Sequence, residues 1–330
     1  MTEASPAPST PFEVGLETWA CAVCGADDTR GYRPGMYAIG PVRFDLVRCR
    51  GCGLVYTNPR PDGPTLGRMY DDPDYYTHGY NLGVEDQNYF ERKDELLAQY
   101  DGEVAVIEAE TGGQGRLLEL GSAGGFFIEA ARLRGWDVRG IELSPPAADY
   151  SRSELGLEVF EGLLEDAPYE PKSFDVAIAD NVLEHTTDPT QVVRDLLGLL
   201  RPGGHLLIVV PTYVNSPFFR AFLTVGALVP RRLLGKAMLR ILKLDEDHDG
   251  GYPYHILEFD RRTLVRLVRA AGGEIVSVTR SVPFPAPLFK KTDPSLVERL
   301  LRGVFRTLDL GMRIGLLPGA RVRLLARAKA

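Results

Sequence analysis

Apolar and polar positions along the chain alternate between two periods. Arg116–Leu120 is a mostly apolar run of strand length that starts on Arg116 and carries one internal charge, Glu119, and Phe126–Arg134 then repeats with the spacing of a buried helix. The same switch recurs. Asp137–Glu142 reads as a strand and Pro146–Leu155 as a helix; Glu158–Glu161 and Phe174–Ala179 read as strands. Asp188–Leu200 is a helix stopped by Pro202-Gly203-Gly204, and His205–Val210 is the next strand. Arg261–Ala271 reads as a helix, and Glu274–Arg280 and Arg321–Arg327 as two final strands. Repeated strand–helix units predict a parallel sheet with helices on both faces. Upstream, Asn88 to about Glu110 reads as a helix with an apolar face of Tyr89, Leu96, Leu97, Tyr100 and Val104.

The first 60 residues follow neither rule. Met1–Pro11 is rich in Pro, Ser, Thr and Ala and reads as a tail, assigned to residues 1–18. Four cysteines follow, as Cys21-Ala-Val-Cys24-Gly and Cys49-Arg-Gly-Cys52-Gly. Two such pairs match a four-thiolate zinc site, in which the metal replaces a core too small to form alone. The competing readings are redox chemistry or two disulfides. Residues 19–60 are therefore expected to be a zinc ribbon with Tyr37–Val47 supplying a hairpin. Residues 61–110 are expected to be a linker with helices, and 111–330 the main domain.

Composition adds little until it is divided. The 330 residues are 44% hydrophobic and 25% charged, an ordinary globular balance, and carry a net charge of −7. The absence of a signal-like start and of a long apolar run points to a cytoplasmic enzyme. Residues 1–110 hold 9 basic and 19 acidic side chains, whereas residues 286–330 hold 10 basic and 3 acidic. Two segments look like insertions into the main domain, 212–252 and 284–318. In the first, Arg232, Lys236, Arg240 and Lys243 oppose Leu233, Leu234, Met238 and Ile241. In the second, Arg299, Arg302 and Arg306 oppose Leu300, Val304, Phe305 and Leu308. Such helices suit a lid, a homodimer interface, or an anionic membrane surface touched peripherally from the inner face. The acidic overall balance disfavours nucleic acid.

The sharpest motif is Leu117-Leu118-Glu119-Leu120-Gly121-Ser122-Ala123-Gly124-Gly125-Phe126. A strand, a turn of small residues and a helix place backbone amides against a ligand at the sheet's carboxyl edge. Glu142 ends the next strand, where a carboxylate can accept both hydroxyls of a ribose. The glycines do not follow the dinucleotide spacing. Further on come Phe160-Glu161-Gly162-Leu163-Leu164-Glu165-Asp166 and Phe174-Asp175-Val176-Ala177-Ile178-Ala179-Asp180-Asn181-Val182-Leu183-Glu184-His185.

This order of segments resembles the class I S-adenosylmethionine-dependent methyltransferases, most closely the ubiquinone-type subgroup, over residues 110–280. The resemblance implies a Rossmann-like, doubly wound α/β fold whose seven-stranded, mostly parallel sheet has an antiparallel last strand, Arg321–Arg327. It implies that Glu119, Gly121, Ser122, Ala123 and Gly125 form the first cofactor motif, with Ala123 in place of a middle glycine. Glu142 falls on the ribose acid with Leu143 beside it. Leu163 and Leu164 fall at the adenine, and Asp180 near the methionine moiety. The ribbon followed by Asn58-Pro59-Arg60-Pro61 also resembles zinc-ribbon methyltransferases acting on sugars, lipids or secondary metabolites.

A hydroxyl acceptor needs its proton removed. His185 and His255 are the two candidates for that base, and Tyr76 and Tyr213 are candidates for the pocket lining. Glu184 and His185 are also consistent with a purely structural tie between a loop and a helix. Glu184-His185 and Asp245–Asp249 offer alternative metal ligands. The expected activity is methylation of a small molecule. The rivals are a cofactor-binding scaffold whose ribbon recruits a partner, and an RNA or protein methyltransferase.

Overall fold

A computed structural model describes residues 13–70, 89–212, 214, 255–281, 296–314, 316, 317, 319 and 321–329. The expected insertion at 212–252, with Tyr213 and the acidic group Asp245–Asp249, lies almost wholly outside the described residues, as does Tyr76.

The main domain is a seven-stranded sheet. Its strands are β6 (Arg116–Leu120), β7 (Asp137–Glu142), β8 (Val159–Glu161), β9 (Phe174–Asp180), β10 (Leu200–Pro211), β12 (Glu274–Ser281) and β13 (Arg321–Arg327). Their order is β12-β13-β10-β9-β6-β7-β8. Strands β6 to β10 pair in parallel, and β13 runs antiparallel to both β10 and β12. The seven-stranded doubly wound fold with its antiparallel last strand is thus present. The order reverses between β6 and β9, the place where such sheets open a ligand crevice.

Helices cover both faces. On one lie α2 (Lys93–Thr111), α3 (Phe126–Leu133) and α4 (Pro145–Leu155), which share a core with Leu117, Val138, Val176, Ile178 and Leu207. On the other lie α5 (Pro189–Leu199) and α6 (Arg261–Ala270), packed with Leu118, Leu120, Ala177, Leu206 and Ile208. Asp260 starts α6 with a reciprocal capping box to Thr263, worth about 1 kcal/mol. The helix α7 (Leu296–Arg313) forms within the expected basic insertion.

The N-terminal region departs from expectation twice. First, the tail does not extend to residue 18, because β1 (Leu16–Glu17) pairs with β5 (Arg60–Pro61) just before α1 (Gly63–Tyr70). The Glu17 carboxylate accepts from Arg60 Nε at 2.7 Å, and the Arg60 guanidinium lies 3.7 Å over the Trp19 ring. Second, the cysteine unit is not self-contained. Strands β2 (Thr29–Ile39), β3 (Val42–Cys49) and β4 (Val55–Thr57) make a sheet completed by β11 (Leu257–Glu258), from the far half of the chain. Its core residues Phe44, Leu46, Leu54 and Tyr56 belong to the same apolar cluster as one face of the large sheet. Three strands offer too little apolar area to stand alone, so the unit finishes its sheet and core on its neighbour.

Candidate active site

The turn after β6 lies at the reversal of strand order. Gly121 has a φ of +73°, and a Cβ there would approach Val182 Cγ2 to 2.6 Å. A Cβ on Gly125 would meet Leu157 Cδ1 at 2.7 Å. Both positions therefore require glycine. Ala123 holds a φ of +46°, an uncommon state for a residue with a side chain. Its amide donates to Glu142 Oε2 at 2.7 Å, and its carbonyl accepts from Ser151 Oγ at 3.1 Å. The other Glu142 oxygen accepts from the Ser144 amide at 2.8 Å. A carboxylate has about four lone-pair sites. The two amides fix the plane of this one.

Beside it, Glu119 is buried, and its Oε2 has no hydrogen-bond partner among the described residues. Burial, reinforced by the charges of Asp180, Glu142 and Glu103, pushes its carboxyl well above the ordinary glutamate range. The buried Ser122 hydroxyl likewise has no partner among the described residues. Leu143 and Leu163 follow the ends of adjacent strands and expose 46% and 48% of their surface. Leu164 is partly buried and starts a short turn, Leu164–Asp166.

Several residues here were not foreseen. Arg321, at the start of β13, donates to both oxygens of Asp180 at 2.8 and 2.7 Å. The expectation for Asp180 placed it against the methionine moiety without foreseeing this pairing. Glu103 and Tyr100 of α2 also face the group, and burial raises the pKa of both. The turn Tyr89–Arg92 covers the small-residue loop, because a Cβ on Gly124 would touch Tyr89 and Phe90 at 3.0 and 3.1 Å. Phe90 stacks on Tyr150 at 4.5 Å and Tyr89 on Phe126 at 5.2 Å. Tyr100 and Glu103 have the i, i+3 spacing that puts an acid on an apolar helix face.

His185 and His255, 70 positions apart in sequence, come together with ring centroids 4.9 Å apart, edge to face. Glu184 lies between their segments. Its carbonyl accepts from the Ile256 amide at 3.0 Å, and one carboxylate oxygen stands 3.9 Å from His185 Nε2. That carboxylate is 1% exposed and has no hydrogen-bond partner among the described residues. Burial raises its pKa well above the ordinary range, and the Asp180 and Glu258 charges add to this. Ligand atoms of Glu184, His185 and His255 lie within 4.8 Å of one another. Such a cluster is able to pass a proton or to hold a divalent cation.

The four cysteine sulfurs also gather within 4.8 Å, with Cys21–Cys52 at 3.4 Å and Cys24–Cys49 at 3.5 Å. The thiols are free, not disulfide-bonded. Tetrahedral ligation at about 2.3 Å per Zn–S bond fits sulfurs at these separations. The Gly51 amide points at Cys49 Sγ from 3.3 Å. Bonding to Cys52 draws the Cys21 thiol down to about 5, whereas Cys24 is raised by burial and Cys52 by its bond to Cys21. Without a cation, four thiolates cannot share this space, so the donor set suits a soft divalent metal.

Residues 118–208 match the model of the family described as methyltransferase domain. Over 127 residues it is 36% identical to the ubiquinone biosynthesis O-methyltransferase of Paraburkholderia phymatum, covering 37% of this chain and 54% of that protein. The protein of the same name from Ralstonia nicotianae is 39% identical over 97 residues, 28% of this chain and 41% of its own length. The chain spans about half the length of the curated relatives it matches. Among solved structures, an S-adenosylmethionine-dependent methyltransferase from Thermotoga maritima is similar, with a TM-score of 0.47 and 19% identity over 73% of this chain and 96% of that one. The matched span includes Glu119, the glycine turn, Glu142, Asp180 and His185, whereas His255 and the cysteines lie outside it.

Proposed function

We propose that the chain transfers a methyl group from S-adenosylmethionine to a hydroxyl of a small-molecule acceptor, such as a sugar, a lipid-linked intermediate or a secondary metabolite. The observation that carries this reading is the Glu142 carboxylate, locked by the amides of Ala123 and Ser144 at the reversal of strand order. A carboxylate at the end of this strand suits the two hydroxyls of a ribose, while Leu143, Leu163 and Leu164 offer apolar contacts to an adenine. The unpartnered Glu119 and Ser122 oxygens and the cradle at Gly121 suit the polar amino-acid end of the same ligand.

Bound S-adenosylmethionine supplies a methyl group already activated by its sulfonium, so the protein's task is alignment and exclusion of water. Tyr89 and Phe90 close one side of the small-residue turn. His255 or His185 takes the acceptor's proton, and the Glu184 carboxyl lies within 4.8 Å of both imidazoles. The four cysteines bind a zinc ion. Coordinatively full, that ion shapes the fold and does not enter the chemistry.

Calorimetry with S-adenosylmethionine and S-adenosylhomocysteine tests the cofactor half. Binding by the wild type, weakened by about 2 kcal/mol in Glu142→Ala, is the expected result. No binding to a folded, zinc-loaded sample would overturn the reading.

A further inference from the structure

We infer that the four-cysteine unit positions the acceptor-side histidine: through β4 and Tyr37 it holds the His255–Glu258 segment against Glu184, so that metal ligation sets the His185–His255 geometry. The inference rests on the reading of His185 and His255 as the acceptor side of the site.

The connection is short. The knuckle closes on itself, the Gly53 amide donating to the Cys49 carbonyl at 3.0 Å and the Cys49 amide to the Leu54 carbonyl at 2.8 Å. Strand β4 begins three residues after Cys52, and Leu54, Val55, Tyr56 and Thr57 are fully buried. It pairs with β11 in antiparallel register, Tyr56 opposite Leu257 and Val55 opposite Glu258. The ladder continues past the strand. The Thr57 amide donates to the Ile256 carbonyl at 2.9 Å, and its hydroxyl reaches the His255 carbonyl at 3.5 Å. Ile256 donates its own amide to Glu184. The backbone beside His255 is therefore clamped between β4 on one side and the Glu184 turn on the other.

A side-chain bond reinforces the clamp. Tyr37 of β2 donates its hydroxyl to Glu258 Oε1 at 2.6 Å, and both groups are buried. The knuckles are themselves anchored to the main domain. The Thr190 hydroxyl of α5 donates to the Ala22 carbonyl at 3.1 Å, and Arg266 of α6 reaches the Gly51 carbonyl at 3.5 Å. The cofactor turn, by contrast, is held by Ile141, Glu142, Ser151 and the Tyr89–Phe90 turn. Loss of the cysteine metal should therefore disturb the histidine pair and spare the cofactor turn.

The test compares zinc-loaded protein with the same protein stripped by a chelator. Three quantities are read: S-adenosylhomocysteine affinity, hydrogen exchange at the Thr57 and Ile256 amides, and the nuclear Overhauser effect between the imidazoles of His185 and His255. The expected result is an affinity within about threefold, amide exchange at least tenfold faster, and loss of the inter-imidazole signal, all restored by added zinc. An unchanged inter-imidazole signal after stripping would overturn the inference, as would full metal removal without faster exchange. Should stripping unfold the chain, zinc-loaded Tyr37→Phe decides, since it keeps the ring and all four cysteines. Exchange at Ile256 and Glu258 should then rise at least fivefold with cofactor affinity held, and unchanged exchange refutes the clamp. Failure of both samples to bind S-adenosylhomocysteine would count against the methyltransferase reading alone, because the exchange and imidazole signals do not depend on it.

Discussion

Glu119 carries a pH dependence of definite sign. Its folded carboxyl titrates well above an unfolded glutamate, through burial first and the Asp180, Glu142 and Glu103 charges second. The folded state therefore keeps a proton that the unfolded chain has already released. The associated stability is fully present below the ordinary glutamate range and is lost as pH rises towards the raised value. Glu119→Gln should lie close to the wild type at pH 4 and be the more stable protein at pH 7 to 8. Urea titrations across that range check the widening gap, and S-adenosylhomocysteine calorimetry should show weaker binding by the same variant. Gly121→Ala meets both a left-handed backbone and the Val182 methyl. It should cost about 1–3 kcal/mol in urea midpoint stability. Glu142 and the cysteines were legible because their chemistry depends on local spacing. Arg321 on Asp180 and Tyr37 on Glu258 join residues 141 and 221 positions apart, and no local pattern records such pairs.

Among the elements, strand and helix identity followed from apolar periodicity, and most boundaries fell within a residue or two. The hairpin expected from Tyr37 begins at Thr29, the helix expected from Asn88 begins at Lys93 after the turn Tyr89–Arg92, and strand β10 departs furthest in kind. It begins at Leu200, because Pro202-Gly203-Gly204 makes an irregular step within the strand instead of a loop before it. The partner of β4 was hidden, since β11 is two residues long and has no repeating pattern of its own. Strand β13 is tied across the sheet by the Arg321–Asp180 pair, whose side chains are 32% and 23% exposed. Replacing Arg321 by Ala would leave Asp180 facing the other acids without its cation. A loss of about 1–3 kcal/mol is expected, smaller than for a fully buried pair. Asp180→Asn added to Arg321→Ala should recover part of it, as a double-mutant cycle in urea would show.

Across the whole molecule, the N-terminal unit and one face of the large sheet share a single apolar cluster. A metal lost from the cysteines should therefore not melt a ribbon by itself. Scanning calorimetry should show one transition in both zinc-loaded and stripped protein, with the midpoint lowered by about 3 °C or more, the shift that about 2 kcal/mol gives in a chain of this size. A separate low-temperature transition would mean that the unit folds independently. No helix of the described residues is long and apolar enough to cross a membrane. The basic residues Arg299 and Arg306 of α7 lie exposed. Vesicle co-sedimentation with and without anionic lipid tests whether they meet a membrane surface, and equal recovery with both would exclude that role.

The pairing of β4 with β11 also sets a timetable for biosynthesis. The cysteine segment leaves the ribosome with its sheet open at one edge, and the strand that closes it is encoded about 200 residues later. At roughly 5–20 residues per second, that edge waits on the order of 10–40 s for its partner. Throughout this interval the nascent chain presents unsatisfied backbone amides beside its buried-to-be apolar residues, the pattern that invites association with other chains. Early capture of metal would order the first three strands while they wait, so zinc supply during translation should govern how much soluble protein a cell recovers.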